Sequence, residues 1–272
     1  MTSVAILMSV YRGTRSDELA EALNSITAQT RRPDEIVIVE DGPVSDDVRM
    51  TIGDFLAKEM AARAVRLVQN LGSGPARAAG LATIKSDFVA ILDSDDIALP
   101  HRLERQLQAF TKDPSLDVLG TAVTEFQDKP GNVTGIRRLP ESHEEIQKYA
   151  RINSPINNPS VMMRTSAART VGSYQALNYL EDYDLFARLL AGGYKFHNLS
   201  EPMTLFRTSS AQFKRRTSKG IFSSELQLQR NLVRYGLISR PRALLNIILR
   251  SAYRKLPPRI LERAYRLLFH KK

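Results

Sequence analysis

Three carboxylates that follow a short apolar run are the side chains best suited to chemistry. Residues 88–92 are bulky and apolar, as in a buried strand, and Asp93, Asp95 and Asp96 come directly after them. In open α/β sheets, ligands bind beyond the carboxyl ends of such strands. Crowded carboxylates repel one another unless a cation shares the site, and their oxygens suit Mg2+ or Mn2+. The pattern indicates a divalent metal with an anionic substrate; the alternative is an acidic turn that caps the next helix.

A second acidic group lies far along the chain. Residues 181–184 read Glu-Asp-Tyr-Asp and precede an amphipathic helical pattern that ends at Gly192 and Gly193. Acids in the first turn of a helix are favoured by the helix dipole. The residues alone therefore do not decide between a structural and a functional role for this group.

Two glycine turns follow other strand patterns. The strand pattern at residues 35–40, with apolar residues at 36–39, ends at Asp41 and Gly42, where an acid is also a common turn residue. The turn at 72–77 begins Gly-Ser-Gly, which is typical of dinucleotide binding, but Arg77 stands where the third glycine belongs. A helix N-terminus with Arg77 facing a nucleotide is therefore the preferred interpretation.

Strand and helix patterns alternate along this part of the chain. The strand patterns lie at residues 3–10, 35–41, 65–68 and 88–92, and the helical patterns at 17–29, 46–62 and 75–84. Such alternation predicts βαβ units, that is, an α/β fold with a mostly parallel, Rossmann-like sheet flanked by helices. The residues expected together at one sheet edge are Tyr11, Asp41, Gly72 to Arg77 and Asp93 to Asp96.

Composition limits the protein class. The chain has 272 residues, of which 43% are hydrophobic, enough for one α/β domain and an appendage. Because there is no cysteine, disulfides, thiolate metal sites and a cysteine nucleophile are excluded. The first residues carry no basic region, and the apolar run at 4–10 is too short to span a bilayer. We therefore expect neither an export signal nor a transmembrane helix.

The positive charge is concentrated at one end. Of the net charge of +10, residues 240–272 supply +9, from ten basic residues against Glu262 alone. Apolar residues recur there at helical spacing, as Ile260, Leu261, Ala264, Leu267 and Leu268 show. A basic amphipathic tail suits an anionic membrane surface or nucleic acid; the alternative is a pair of helices packed on the domain or in an oligomer.

The order of these motifs resembles the family 2 glycosyltransferases, which have the GT-A fold, over residues 3–207. Each motif is weak alone, but six occur in the family's order. They are Ser9-Val10-Tyr11, residues 25–30, Val39-Glu40-Asp41-Gly42, residues 70–80, Asp93-Ser94-Asp95-Asp96 and Glu181-Asp182-Tyr183-Asp184. The chain most resembles bacterial enzymes of O-antigen, capsule and exopolysaccharide synthesis, including β-1,3-galactosyltransferases that act on lipid diphosphate sugars.

The resemblance implies roles for individual residues. Those expected to bind the nucleotide sugar are Ser9, Tyr11, Asp41, Arg77, Asp93 and Ser94, with Asp41 accepting a hydrogen bond from the base. Asp93 and Asp95 match the family's DXD motif, and the metal ligands expected for Mn2+ or Mg2+ are Asp95, Asp93 and, in support, Asp96. Asp182 is the expected general base, with Glu181 as its neighbour or alternative. Asn158 stands where relatives often carry His.

The sequence thus predicts a GT-A domain at residues 1–215 and a helical basic tail at 216–272. The expected activity is inverting, metal-dependent transfer of a hexose, from a nucleotide sugar such as a UDP-hexose to a saccharide on a lipid diphosphate. The expected location is cytoplasmic, on the inner face of the cytoplasmic membrane, with residues 240–272 on anionic lipid and no nucleic acid bound. The alternatives are a metal-dependent nucleotidyltransferase, whose Gly-rich basic signature residues 10–13 do not supply, and a non-enzymatic nucleic-acid- or membrane-binding module.

Overall fold

A computed structural model describes residues 2–208 and 220–254. Within these residues, one sheet of nine strands runs through the molecule. Its strands are β1 (Val4–Tyr11), β2 (Glu35–Asp41), β3 (Ala62–Arg66), β4 (Phe88–Ile91), β5 (Ile97–Ala98), β6 (Val118–Phe126), β7 (Val133–Arg137), β8 (Met162–Arg164) and β9 (Phe196–Arg207).

Helices cover both faces of the sheet. They are α1 (Ser16–Thr27), α2 (Asp46–Lys58), α3 (Ser73–Thr83), α4 (Arg102–Lys112), α5 (His143–Tyr149), α6 (Thr165–Thr170), α7 (Glu181–Ala191), α8 (Gly220–Arg234) and α9 (Arg240–Arg254). A 3-10 turn, Asn158–Ser160, precedes β8. None of the helices in the described part of the chain is long and apolar enough to cross a membrane.

The strand order is β3-β2-β1-β4-β8-β6-β9-β5, with β7 paired to β6. The first four strands are parallel, as the alternating patterns predict, and β6 and β9 are parallel as well. Strand β8 is antiparallel to both β4 and β6. Antiparallel strands can be joined without a crossover helix. The alternation of strand and helix patterns in the sequence therefore does not reveal antiparallel pairs. The predicted α/β class is confirmed, and the second half of the sheet is more mixed than the sequence indicated.

Strand β1 is buried on both faces, which explains its unbroken apolar sequence. Val4, Ile6 and Met8 belong to the core beneath α1, α2 and α4. Ala5 and Leu7 belong to the core on the opposite face, beneath α3, α6 and α7. Since side chains alternate between the faces of a strand, β1 joins the two cores and fixes its neighbours in register.

The acidic turn after β4 does not cap a helix. It leads into the short strand β5, and α4 begins only at Arg102, after His101 as its N-cap residue. The capping alternative for the three aspartates is therefore wrong.

Helices α8 and α9 pack on α7. Leu228 and Leu232 share a core with Tyr183 and Ala187, and Asn231 donates to Asp184 at 2.8 Å. Helical structure after residue 216 was expected, and within 220–254 it is present. The predicted apolar pattern at 260–268 lies outside the described residues.

Candidate active site

The first acidic motif lies at the carboxyl end of β4, beside β1. Leu7 pairs with Ile91, and the N–H of Leu92 donates to the Leu7 carbonyl at 3.2 Å. The register therefore places Asp93 at the level of Ser9, and the Asp93 side chain is 29% exposed. Ser9, Ser94 and Asp95 are each partly buried. The predicted donor-site residues of β1 and β4 thus lie at one sheet edge.

Asp96 lies deeper than the other two acids of the motif. It is fully buried, and its Oδ1 accepts a hydrogen bond from the backbone N–H of Arg207 at 2.8 Å. Its Oδ2 is also buried, and no group of the described residues forms a hydrogen bond with it. Burial, together with Asp95 and Asp93, raises the pKa of Asp96 well above its ordinary value. Asp96 therefore fixes the end of β9 beneath the motif, which fits its supporting role.

Arg77 joins the two acidic motifs. It is 8% exposed; Nη2 donates to Asp93 Oδ1 at 2.7 Å and Nη1 donates to Glu181 Oε1 at 3.0 Å. Ser73 Oγ donates to the same Glu181 oxygen. Burial opposes the charge of the guanidinium, but Asp93 and Glu181 outweigh it and raise the pKa of Arg77. One cation at the first turns of α3 thus holds acids that are far apart in sequence.

The two neighbouring acids of α7 differ in their surroundings. Glu181 is 6% exposed and ion-paired to Arg77, whereas Asp182 is partly buried and accepts the Tyr183 N–H at 2.7 Å. Burial, followed by the charge of Glu181, raises the pKa of Asp182 to about 7. A carboxylate with this pKa is matched to accept a proton near neutral pH.

The side chain of Asp41 forms hydrogen bonds with the loop that leads into α3. Its Oδ1 accepts the Leu71 N–H at 2.7 Å, and its Oδ2 accepts the Gly72 N–H at 3.0 Å and Asn70 Nδ2 at 2.9 Å. Asp41 is only 3% exposed. Gly42, at φ +79°, lies so close to the Asn70 backbone that a Cβ would not fit. The Asp-Gly pair therefore shapes this loop, and Oδ1 retains a lone pair for one further donor.

Tyr11 ends β1 opposite Asp41 in the register of β1 and β2. Its side chain is 38% exposed, which is high for a large apolar residue at the end of a buried strand. An exposed ring at this sheet edge is available to a planar ligand.

Tyr174 supports Arg77, and the sequence analysis missed it. Its ring centroid lies 5.7 Å from Arg77 Cζ, and its hydroxyl donates to Asn158 Oδ1 at 3.0 Å. Burial raises the pKa of Tyr174 above its ordinary value. Asn158 therefore acts on Arg77 through Tyr174. No periodic pattern surrounds Tyr174, so only the fold shows this contact.

Arg102 is a second residue that the sequence analysis missed. It is 1% exposed and donates to the carbonyls of Ile91, Pro159 and Val161 at 2.8, 2.8 and 3.2 Å. Burial lowers the pKa of Arg102 to about 10. Because Ile91 ends β4, this guanidinium anchors the strand that carries Asp93. Arginine is rarely buried, and its sequence context carried no sign of it.

The acidic motif fits a metal that is shared with a diphosphate. Across residues 2–208 and 220–254, no three His or acidic side chains form a metal-binding group by themselves. A cation that also binds substrate phosphates needs only one or two protein carboxylates. Asp93 and Asp95 are partly accessible and supply that number. The donor set therefore suits Mg2+ or Mn2+ once an anionic substrate is present.

Comparisons with known proteins agree with this geometry. The chain matches the Glycosyl transferase family 2 model over residues 5–172. It is 33% identical over 261 residues to the amylovoran biosynthesis glycosyltransferase AmsE of Erwinia amylovora, covering 96% of this chain and 97% of that relative. It is 33% identical over 253 residues to the UDP-Gal:alpha-D-GlcNAc-diphosphoundecaprenol beta-1,3-galactosyltransferase of Escherichia coli, covering 93% and 91%.

Solved structures show the same fold. The crystal structure of S. aureus TarS 1-349 matches with a TM-score of 0.65 at 18% identity, over 92% of this chain and 71% of that one. The same protein in complex with UDP-GlcNAc matches with a TM-score of 0.64 at 18% identity, over 85% and 66%. The fold is thus the GT-A fold.

The chain belongs to glycosyltransferase family 2. The predicted family and enzyme class are confirmed, and the nucleotidyltransferase and the non-enzymatic module are excluded as alternatives. Enzymes of this family generally use a divalent metal ion.

Proposed function

We propose that this enzyme moves a hexose from a UDP-sugar to a saccharide carried on a lipid diphosphate, with inversion at the anomeric carbon, in the synthesis of a bacterial surface polysaccharide. One relative acts on a diphosphoundecaprenol sugar with UDP-Gal, as its name states, and another takes part in amylovoran biosynthesis. Both align with this chain almost from end to end.

The contact of Arg77 with both Asp93 and Glu181 carries this proposal. Through this one side chain, the acids expected at the donor diphosphate lie next to the acids expected at the acceptor. A transfer reaction needs these two sites adjacent, because the attacking oxygen must reach the anomeric carbon of a bound donor.

The donor occupies the edge formed by β1, β2 and β4 in this proposal. Tyr11 packs against the base, the remaining lone pair of Asp41 accepts from it, and Ser9 lies nearby. Asp93 and Ser94 bind the nucleotide sugar, and Arg77 faces its diphosphate. The partial exposure of Ser94 and Asp93 and the 38% exposure of Tyr11 support these contacts.

Asp95 and Asp93 hold Mn2+ or Mg2+ in this proposal, supported from below by Asp96. A bound divalent ion supplies neutralisation of the negative charge on the departing nucleoside diphosphate. The buried, raised-pKa carboxyl of Asp96 holds Arg207 and thereby the shape of the turn.

Asp182 removes the proton of the acceptor hydroxyl in this proposal. The acceptor oxygen forms the new bond to the anomeric carbon as the bond to the UDP oxygen breaks, and the proton remains on Asp182. Attack opposite the leaving group inverts the configuration. Glu181 stays ion-paired with Arg77, and this supports Asp182 over Glu181 as the base.

The enzyme works on the inner face of the cytoplasmic membrane in this proposal, because a lipid diphosphate acceptor is held there. Residues 1–215 form the catalytic domain, and 216–272 the basic helical tail. The charge of 240–272 supports attachment to anionic lipid, since each basic residue near such a surface contributes about 1 kcal/mol. Nucleic acid is not a partner in this proposal.

Product analysis tests the proposal. Purified enzyme is incubated with Mn2+, UDP-galactose or UDP-GlcNAc, and a GlcNAc-diphosphate lipid, and the product is analysed by mass spectrometry and NMR. We expect one added hexose whose anomeric configuration is opposite to that of the donor. A product with retained configuration would reject the mechanism, and no transfer from any UDP-sugar would reject the donor class.

A further inference from the structure

Helix α9 is turned with its polar residues inward. Asn246 is 2% exposed; its Nδ2 donates to the Arg151 carbonyl at 2.9 Å and to Gln229 Oε1 at 3.1 Å. Arg250 Nε forms an ion pair with the fully buried Glu225 at 3.0 Å, and its Nη1 donates to the Ile152 carbonyl at 3.0 Å. These contacts fix the rotation of α9 about its axis, because no other rotation satisfies the buried polar groups.

The outward face of α9 is apolar as a result. Leu244, Leu245, Ile248 and Leu249 are 60%, 44%, 56% and 55% exposed. Leu244 and Ile248 are four residues apart, as are Leu245 and Leu249, so the four form one continuous patch, the α9 apolar face. A contiguous apolar patch on a soluble surface is costly unless something covers it.

A cationic cavity lies beside this face, at the start of α9. It has a volume of about 480 Å3 and is lined by Lys148, Arg151 and Arg242 together with Ile152 and Ser239. None of its three cations forms an ion pair within residues 2–208 and 220–254, and no acid lines the cavity. The Nε of Arg242 is buried without a hydrogen-bond partner there. A buried donor without a partner, beside two further cations, is suited to bind an anion.

We propose that Lys148, Arg151 and Arg242 bind the phosphate of an anionic membrane phospholipid while the α9 apolar face enters the acyl region beside it. A phosphate and a hydrocarbon chain joined in one molecule match a cationic cavity that adjoins an apolar face. The site fixes which surface of the enzyme meets the bilayer. It rests on the proposed membrane association only for the source of the phosphate.

The charge around α9 favours a lipid surface over a second copy of the chain. The start of helix α9 carries Arg240 and Arg242, and the helix has no acidic residue. In a symmetric dimer through this face, the same cations would approach one another, which is unfavourable. An anionic bilayer offsets them instead.

The test measures binding of the full-length chain to vesicles of phosphatidylcholine, with and without phosphatidylglycerol. The cavity variant is Lys148→Ala/Arg151→Ala/Arg242→Ala, and its control is Lys58→Ala/Lys85→Ala/Lys112→Ala, which removes the same charge at exposed sites. We expect the cavity variant to lose roughly 100-fold in affinity for the anionic vesicles. We expect the control to stay within about threefold of the unchanged chain, because its charges lie away from the membrane. Equal losses in the two variants would overturn the cavity as a specific site.

Insertion of the apolar face is measured separately. Because the chain has no cysteine, Leu245→Cys and the control Met60→Cys each accept one environment-sensitive fluorophore. On anionic vesicles, the label at position 245 should shift to the blue, and the label at position 60 should not change. The same signal from both positions would overturn the orientation.

Two further results would assign the site elsewhere. A dimer in solution that Leu244→Ser/Ile248→Ser converts to a monomer would assign the α9 apolar face to a second copy. Reduced transfer by the cavity variant in detergent, without a bilayer, would assign the cavity to the acceptor diphosphate. The vesicle measurements do not depend on catalysis, so failure of the proposed transfer reaction is distinguishable from failure of this site.

Discussion

The guanidinium of Arg77 makes the two adjacent acids at the start of α7 chemically different. It pairs with Glu181 at 3.0 Å, whereas Asp182 forms no ion pair with it. Burial, followed by the charge of Glu181, raises the pKa of its neighbour Asp182 to about 7. Two adjacent carboxylates can thus have different roles, one as a structural acid and the other as a proton acceptor, because their surroundings differ.

Transfer should depend on pH through Asp182. A base acts only when deprotonated, so kcat/KM should fall about tenfold for each pH unit below a pKa of about 7. Above that value, the rate should level off. The measurement is a pH profile of kcat/KM with UDP-sugar and acceptor, after checking that the fold persists across the range. A rate that stays constant well below neutral pH would contradict the assignment of Asp182.

At the scale of elements, the start of α3 is pressed against the segment that precedes α7. A Cβ on Gly74 would overlap the Gln175 carbonyl and lie 3.1 Å from Glu181 Cβ. Only glycine therefore permits the approach that brings Arg77 to Glu181. The glycine that suggested a dinucleotide fold serves helix packing here.

Gly74→Ala should separate the two acidic motifs. Because the new Cβ would overlap backbone atoms of Gln175, the two segments must move apart. We therefore expect a loss of stability of about 1–3 kcal/mol and a loss of transfer. The control is Gly53→Ala, in the interior of α2 with no atom within 4 Å of the new Cβ. That change should stabilise the protein by about 0.5–1 kcal/mol. Urea unfolding and transfer assays check both, and equal effects of the two substitutions would argue against the packing role of Gly74.

Asp184 ties α7 to the C-terminal helices. Its Oδ2 accepts from Arg188 at 2.8 Å, and its Oδ1 accepts from Asn231 at 2.8 Å and Tyr235 at 3.1 Å. Asp184→Asn removes a buried charge partner of Arg188, so we expect a loss of stability of about 3 kcal/mol. Urea unfolding measures it, with the exposed Asp54→Asn as the control. No difference between the two variants would mean that this contact does not hold α8.

The sequence predicted most elements of the first half of the fold because each carries one clear period. In strand β1 the apolar residues form a nearly unbroken run, as in a strand that is buried on both faces. In helix α1 they recur every three or four residues, as on one face of a helix. Strand β8 has only three residues, Met162–Arg164, and its partners β4 and β6 are distant in sequence. No local pattern specifies such a strand. The boundary after Asp96 was missed for the same reason, because β5 has two residues.

At the scale of the whole molecule, α8 and α9 are part of the body that holds the acids of the candidate site. Glu225 is fully buried against Arg250, and Tyr183 OH donates to the Ala150 carbonyl at 2.6 Å. Asn246 and Arg250 of α9 donate to the carbonyls of Arg151 and Ile152, so the C-terminal helices also hold the segment that follows Ala150. The start of the basic tail therefore has a structural function, in addition to the membrane function proposed above.

Chain shortening should distinguish these functions. A chain that ends at Ser239 lacks Arg250, which forms an ion pair with the buried Glu225, and the loss of this partner costs about 3–5 kcal/mol. A chain that ends at Arg254 keeps these contacts, and we expect it to remain folded and to transfer sugar to a soluble acceptor. Thermal unfolding and limited proteolysis compare the two. Equal stability would show that α9 is not needed by the catalytic body.

The sequence predicted which residues gather at the site, but not how they are connected. Asp93, Asp41 and Asp182 were found because each belongs to a motif at a strand or helix end. Tyr174 and Arg102 were not, because their roles depend on contacts between segments that no spacing encodes. Asp41 was expected to face a base, and its three hydrogen bonds to the loop at 70–72 became visible only in the fold.

If Asp182 is the base and Glu181 its structural neighbour, Asp182→Asn should abolish transfer without weakening the binding of the donor. Affinity for UDP-sugar is measured by calorimetry with Mn2+, and transfer is measured under saturating acceptor, with Glu181→Gln in parallel. We predict an unchanged donor Kd and a kcat that falls at least about 100-fold in Asp182→Asn. Near-normal turnover by Asp182→Asn, with the large loss found only in Glu181→Gln, would contradict the account.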